Sequence, residues 1–109
     1  MEKETTLIVD PRGRVIHLPS TLCLDLAVKG PSAYLDAPQT TIQEPACMIE
    51  LSDQELFYFR SVDWNLTLLI RVVFREGIWV ATACMENPEP GFIQEQLKEG
   101  TFIAGSALG

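Results

Sequence analysis

Leu66-Thr67-Leu68-Leu69-Ile70-Arg71-Val72-Val73-Phe74-Arg75-Glu76-Gly77-Ile78-Trp79-Val80-Ala81-Thr82-Ala83-Cys84-Met85-Glu86 is the stretch whose reading decides the fold. Two β-branched and aromatic runs flank Glu76-Gly77, so 66–75 and 78–85 read as a hairpin with a two-residue turn. That turn sets Arg75 opposite Ile78, Phe74 opposite Trp79, Val73 opposite Val80 and Val72 opposite Ala81. It also predicts Arg71 opposite Thr82, Leu69 opposite Cys84 and Thr67 opposite Glu86. Side chains alternate across a sheet. One face then holds Leu66, Leu68, Ile70, Val72, Phe74, Trp79, Ala81 and Ala83, and is wholly apolar. The other holds Thr67, Leu69, Arg71, Val73, Arg75, Val80, Thr82 and Glu86. A strand buried on both faces does not place two arginines there.

Outward from this hairpin, Cys47–Leu51 and the aromatic-rich Glu55–Ser61 read as further strands. Turns at Ser52-Asp53-Gln54 and Val62-Asp63-Trp64-Asn65 complete a four-stranded antiparallel meander. At the N-terminus, strands over 5–9 and 14–18 flank Asp10-Pro11-Arg12-Gly13. Proline presets the turn dihedral and Gly13 closes it. Pro19-Ser20 opens a helix-like stretch that ends at Lys29-Gly30-Pro31. Residues 32–36 read as a helical turn, and 37–45, with Pro38 and Pro45, as a loop or bridging turn. Phe92–Lys98 has helical spacing, and Thr101–Ala104 offers a short edge strand. The expectation is one α+β domain over 1–109. It comprises an N-terminal β-hairpin, short helices, a four-stranded antiparallel meander sheet and a C-terminal helix.

Lys and Arg number 8 against 15 Asp and Glu, a formal charge of -7 among 109 residues, 47% of them apolar. Residues 1–45 hold four basic and six acidic groups, so -2. Residues 46–109 hold four basic and nine acidic, so -5. This balance disfavours a general grip on nucleic acid or anionic lipid and suits a basic partner. It leaves room for one local anion site. The apolar runs are too short to span a bilayer, and Met1-Glu2-Lys3-Glu4 is not the start of a signal peptide. Cys23, Cys47 and Cys84 are odd in number and widely spaced. They support neither a disulfide framework nor a zinc site, and a cytoplasmic setting is the default. No cofactor or metal is indicated.

Arg71 beside Thr82 offers an anion site, since guanidinium binds phosphate bidentately and a hydroxyl donates beside it. The alternative is a solvated sheet face with Arg71 and Arg75 paired to Glu50, Glu55 or Glu86.

The order of Leu24–Leu35, Thr41-Ile42-Gln43-Glu44-Pro45, Phe57-Tyr58-Phe59-Arg60, Ile70-Arg71-Val72-Val73 and Trp79-Val80-Ala81-Thr82-Ala83 resembles small metal-independent ribonucleases. These are phage and plasmid members of the barnase–EndoU–colicin–RelE superfamily. The resemblance spans about residues 6–100 and rests on short motifs. Pro31, Tyr58, Arg60, Arg71 and Thr82 match that pattern. The histidine and glutamate of its His-Pro-Glu element fall on Gly30 and Ser32, an upstream histidine on Asp25, and a terminal tyrosine on Cys84. The resemblance therefore implies RNA phosphodiester cleavage by a catalytically weakened member. Arg60 and Arg71 would stabilise charge, Tyr58 or Thr82 would hold a proton path, and His17 or Glu86 would supply the base.

Within residues 6–35, Val9-Asp10-Pro11-Arg12-Gly13-Arg14-Val15 followed by Leu18-Pro19 and Val28-Lys29-Gly30 also resembles the swapped-hairpin DNA-binding modules of AbrB- and MazE-type regulators. That resemblance implies an acidic antitoxin or transcription regulator with Arg12 and Arg14 on nucleic acid. A third reading is a non-enzymatic interaction domain that binds a protein partner or homodimerises through Phe57, Phe59, Trp64 and Trp79. The expected partners are thus RNA or a protein, with no membrane and no small-molecule cofactor.

Overall fold

The computed structural model describes residues 5–19, 22, 36–64, 66–99 and 101–104. Seven strands form a single mixed sheet, introduced here in chain order. These are β1 (Thr5–Val9), β2 (Val15–Pro19), β3 (Cys47–Ser52), β4 (Glu55–Asp63), β5 (Leu66–Arg75), β6 (Ile78–Glu86) and β7 (Thr101–Ala104). Their spatial order is β1-β2-β6-β5-β4-β3-β7. Helix α1 spans Ala37–Gln43 and helix α2 spans Pro90–Glu99.

This corrects the expected fold class. The molecule is mostly sheet, and β3 to β6 do not form a separate four-stranded antiparallel unit. The N-terminal hairpin extends the same sheet, with β2 parallel to β6 through Ile16↔Trp79 and His17↔Val80. The physical reason lies in β2 and β6 themselves. The long hairpin leaves one edge of β6 unpaired, and Ile16 and Leu18 need cover for an apolar face. Docking β2 there satisfies both demands. Nor is α2 terminal: the chain continues into β7, which pairs antiparallel with β3 on the far edge. The helix expected after Pro19 lies outside the described residues, apart from Leu22.

Pro38 does not prevent α1, because it sits in the first turn, where its missing N–H has no helical acceptor. Thr41 Oγ1 donates back to the Ala37 carbonyl at 2.7 Å, which satisfies its buried hydroxyl.

The Glu76-Gly77 turn produces the predicted pairing from Arg75↔Ile78 to Val72↔Ala81. There the register shifts. Arg71 lies opposite Ala83, Ile70 opposite Cys84, Leu69 opposite Met85 and Leu68 opposite Glu86. Thr82 is the extra residue of a β-bulge. The slip turns Cys84 inward onto the cluster around Ile70 and turns Met85 outward beside Leu69. Without it, a thiol and a carboxylate would exchange places with an alanine and a methionine.

The inner face gathers Ile8, Ile16, Leu18, Met48, Leu56, Tyr58, Ile70, Val72 and Ala81 into one core with Ile42 of α1. These residues come from six different strands, so the sheet must curl around them. The outer face buries Ile49, Phe57 and Leu69 with Phe92 of α2, whose ring meets Phe57 edge-on at 6.0 Å.

Glu76 adopts φ 52 and Gly77 φ 85, left-handed values that cost a side-chain-bearing residue free energy. Glu76→Asn suits a primed turn better. It should raise unfolding stability by about 0.5–1 kcal/mol, read from the urea midpoint at unchanged slope.

Candidate functional site

The most heavily bonded polar group among the described residues is the Asp10 carboxylate, whose side chain is fully buried. Its Oδ1 accepts from the backbone N–H groups of Arg12 at 2.9 Å and Arg14 at 2.8 Å. Its Oδ2 accepts from Arg14 Nη1 at 2.9 Å and from the Tyr58 hydroxyl at 2.6 Å. Those bonds use the full acceptor capacity of a carboxylate. Local sequence accounts for the first three. An Asp before Pro-x-Gly folds its side chain back onto the turn, and Arg14 follows within reach. The fourth is tertiary. In a flat sheet, β1 and β4 would lie about 19 Å apart, four strand spacings. The Tyr58–Asp10 bond therefore depends on the curl.

Arg14 also lies over the Trp79 ring, 5.5 Å from its centroid, and Trp79 packs against Phe74 at 5.1 Å. The Tyr58 hydroxyl is pushed well above its ordinary value, first by burial and then by its bond to Asp10. It is a proton held in place, not one poised to leave. The sequence signals for this cluster were only partial. The turn chemistry of Asp10 was legible, but nothing local pairs it with a residue 48 positions away.

The residues matched to the ribonuclease pattern fall on both sides of the sheet. Arg71 and Thr82 share the outer face, where Arg71 Nη1 donates to Thr82 Oγ1 at 3.1 Å. Arg71 Nε donates to Glu55 Oε2 at 2.6 Å, so this guanidinium has a carboxylate partner. Glu55 is one of the three partners named for the solvated-face alternative. Tyr58 and Arg60 alternate onto the inner face, opposite Ile70 and Leu68. Arg60 Nη1 donates to the Glu44 carbonyl at 2.6 Å and so ties β4 to the end of α1. The sheet itself therefore separates Tyr58 and Arg60 from Arg71 and Thr82.

His17 is half-buried on the outer side, opposite Leu7 and beside Val80. Two strand spacings and two residues put its backbone about 12 Å from that of Arg71. Glu86 lies opposite Leu68, on the inner side. Arg12 is exposed at the hairpin tip, whereas Arg14 is engaged with Asp10. Gly30, Pro31, Ser32 and Asp25 lie outside the described residues.

The aromatic residues proposed for association are likewise dispersed. Phe57 is buried under Phe92, Phe59 is half-buried on the same side, and Trp79 packs on the inner side. Trp64 stands exposed in the β4–β5 turn. Cys47 and Cys84 face opposite sides of the sheet, and burial pushes the Cys47 thiol up, away from thiolate reactivity. Cys23 lies outside the described residues. No group of three metal-ligating side chains occurs among the described residues, nor any helix long and apolar enough to cross a membrane.

The outer face is the feature that stands out. Its β3–β4–β5 half is covered by α2, but among the described residues no element covers its β1–β2–β6 half. There Val9, Val15 and Ile78 form one row across three strands, and Leu7, His17 and Val80 form the next. Leu7 is 61% exposed, Val9 57%, Val15 45% and Ile78 41%.

Removing the hydroxyl in Tyr58→Phe should cost about 1–3 kcal/mol, because the buried Asp10 side chain loses a donor. Asp10→Ala should cost more, about 3–5 kcal/mol, since Arg14 and the turn amides lose their acceptor together. A raised tyrosine value means the folded state keeps a proton that the unfolded state releases above about pH 10. That part of the stability is complete below pH 10 and is lost as pH rises further. Urea unfolding at about pH 8 and about pH 11 should therefore show a larger alkaline loss for the parent chain than for Tyr58→Phe.

No family model, no curated protein and no solved structure matches this chain.

Proposed function

We propose that this chain is a non-enzymatic protein-interaction domain whose contact surface is the open outer face of β1, β2 and β6. The observation behind this reading is the asymmetry of one sheet face. Where α2 lies, Phe57 is 4% exposed; on the other half, where none of the described residues forms a covering helix, four large aliphatic side chains stand 41–61% exposed in adjoining rows. Isolated apolar residues on a surface are ordinary, but a contiguous apolar patch marks a contact surface.

The ribonuclease reading has weaker geometric support. Its groups are divided between the faces, with Tyr58 and Arg60 on the inner side and Arg71 and Thr82 on the outer; Arg71 is paired with Glu55, and the Tyr58 proton is bonded to Asp10. Phosphorane stabilisation and proton transfer need those groups around one phosphate. The regulator reading retains Arg12 as a free-standing cation at the hairpin tip, but Arg14 is turned onto Asp10 and Trp79.

A fluorescent apolar probe, anilinonaphthalene sulfonate, tests the patch directly. The folded domain should enhance its emission. The double variant Leu7→Thr, Val9→Thr should lower that enhancement by about half or more at unchanged circular dichroism. Equal emission from parent and variant would remove the support for this surface. Cleavage of labelled RNA in EDTA, abolished by Arg71→Ala, would instead establish the ribonuclease reading.

A further inference from the structure

The occupant of this surface can be named from the free edge of β1. The Asp10 N–H donates to the Arg14 carbonyl at 3.0 Å, which makes positions 10 and 14 a hydrogen-bonded pair. The ladder continues as Val9↔Val15, Ile8↔Ile16, Leu7↔His17, Thr6↔Leu18 and Thr5↔Pro19. Hydrogen-bonded and non-hydrogen-bonded pairs alternate in an antiparallel ladder. Ile8 and Thr6 therefore bond to β2. Thr5, Leu7 and Val9 turn their N–H and C=O groups away from it, towards the edge of the sheet.

Natural sheets protect such an edge with charge, proline, a bulge or a covering element. β1 is Thr-Thr-Leu-Ile-Val, with no charge, no proline and no glycine, and it pairs with β2 over all five residues without a shift. It is the terminal strand of the sheet. Both Leu7 and Val9 carry outward backbone groups and also present exposed side chains on the open face.

We infer that β1 pairs antiparallel with β1 of a second copy of this chain, joining two sheets about a two-fold axis at Leu7. This rests on the interaction-domain reading and identifies its partner. The edge is self-complementary in that register. Leu7 meets Leu7 of the second copy, and Val9 meets its Thr5, twice over. Each meeting joins residues whose backbone groups point outward, giving roughly six inter-chain hydrogen bonds. A register shifted by one residue would set outward groups against inward ones and lose them. The same pairing runs the Leu7 row of one copy into the Leu7 row of the other and sets Val9 beside the Thr5 methyl, so Leu7 and Val9 lose water contact.

Charge selects the same partner. The chain carries -7, yet β1 and β2 contain no Asp, Glu, Lys or Arg. A basic partner drawn by the net charge is steered to the acidic regions, not to this neutral wing. A surface equally neutral and equally apolar suits it, and a second copy presents one. Two-fold pairing is also the commonest closed assembly, and here it consumes the edge in both copies and leaves no template for further growth at β1.

Sedimentation equilibrium over about 1 µM to 1 mM tests this. The average mass should climb towards twice that of the monomer. Leu7→Lys places two like charges at the axis, and Thr5→Pro removes an outward N–H at the first residue of a strand, where proline is tolerated. Each should weaken association at least about tenfold, while Gln54→Lys, a matched charge change in the exposed β3–β4 turn, should leave it unaltered. A parent chain that stays monomeric throughout overturns the inference. So does a dimer indifferent to both β1 variants at unchanged circular dichroism. Probe binding separates the two levels. A monomer that still binds the probe through Leu7 and Val9 loses the second-copy assignment but keeps the contact surface. A domain that fails both assays loses both.

Discussion

The bond between the Tyr58 hydroxyl and the Asp10 carboxylate is the constraint on which the rest of this structure depends. It joins the fifth strand in spatial order to the turn at the sheet's first edge, and it can form only if the sheet curls. The curl in turn gives the molecule an inside. Ile8 and Ile16 from one wing then meet Met48 and Leu56 from the other in one core. A buried carboxylate with incomplete partners would be costly. Here two backbone amides, one guanidinium and one phenol satisfy it, and the described residues contain no buried polar side-chain atom without a partner.

The same cluster engages two residues that look chemically promising. Tyr58 lies in a motif resembling a ribonuclease strand, but its proton is fixed by burial and by Asp10. Arg14 lies in a turn resembling a DNA-contacting hairpin, but it is spent on Asp10 and the Trp79 ring. Strand alternation then separates what linear spacing placed together. Tyr58 and Arg60 differ by two positions and share the inner side, while Arg71 belongs to the outer side with Glu55 and Thr82.

The acidity of the chain acquires a location in this arrangement. The N-terminal wing strands are uncharged, and Arg71 is matched locally by Glu55. What distinguishes the wing, among the described residues, is exposed apolar surface beside a terminal strand. Phe92 of α2 fills the equivalent position on the other half of the sheet. One half of this sheet face is thus covered by α2, and the other keeps its aliphatic side chains exposed.

The sequence by itself determined the local pieces. The Asp10-Pro11-Arg12-Gly13 and Glu76-Gly77 turns, the strands around them and the pairing from Arg75↔Ile78 to Val72↔Ala81 follow from dihedral preference and a period of two. The sequence offered Glu50, Glu55 and Glu86 as partners for Arg71 and Arg75 without choosing among them; the fold pairs Arg71 with Glu55. Only the tertiary structure decided the parallel docking of β2 on β6, the bulge at Thr82 and the reach of Tyr58 to Asp10. Each of these joins residues far apart in sequence, or shifts a register to suit burial on both faces at once. A periodic pattern records which side of a strand is apolar. It does not record which distant strand will cover that side, since the pairing is selected by the free energy of the whole core.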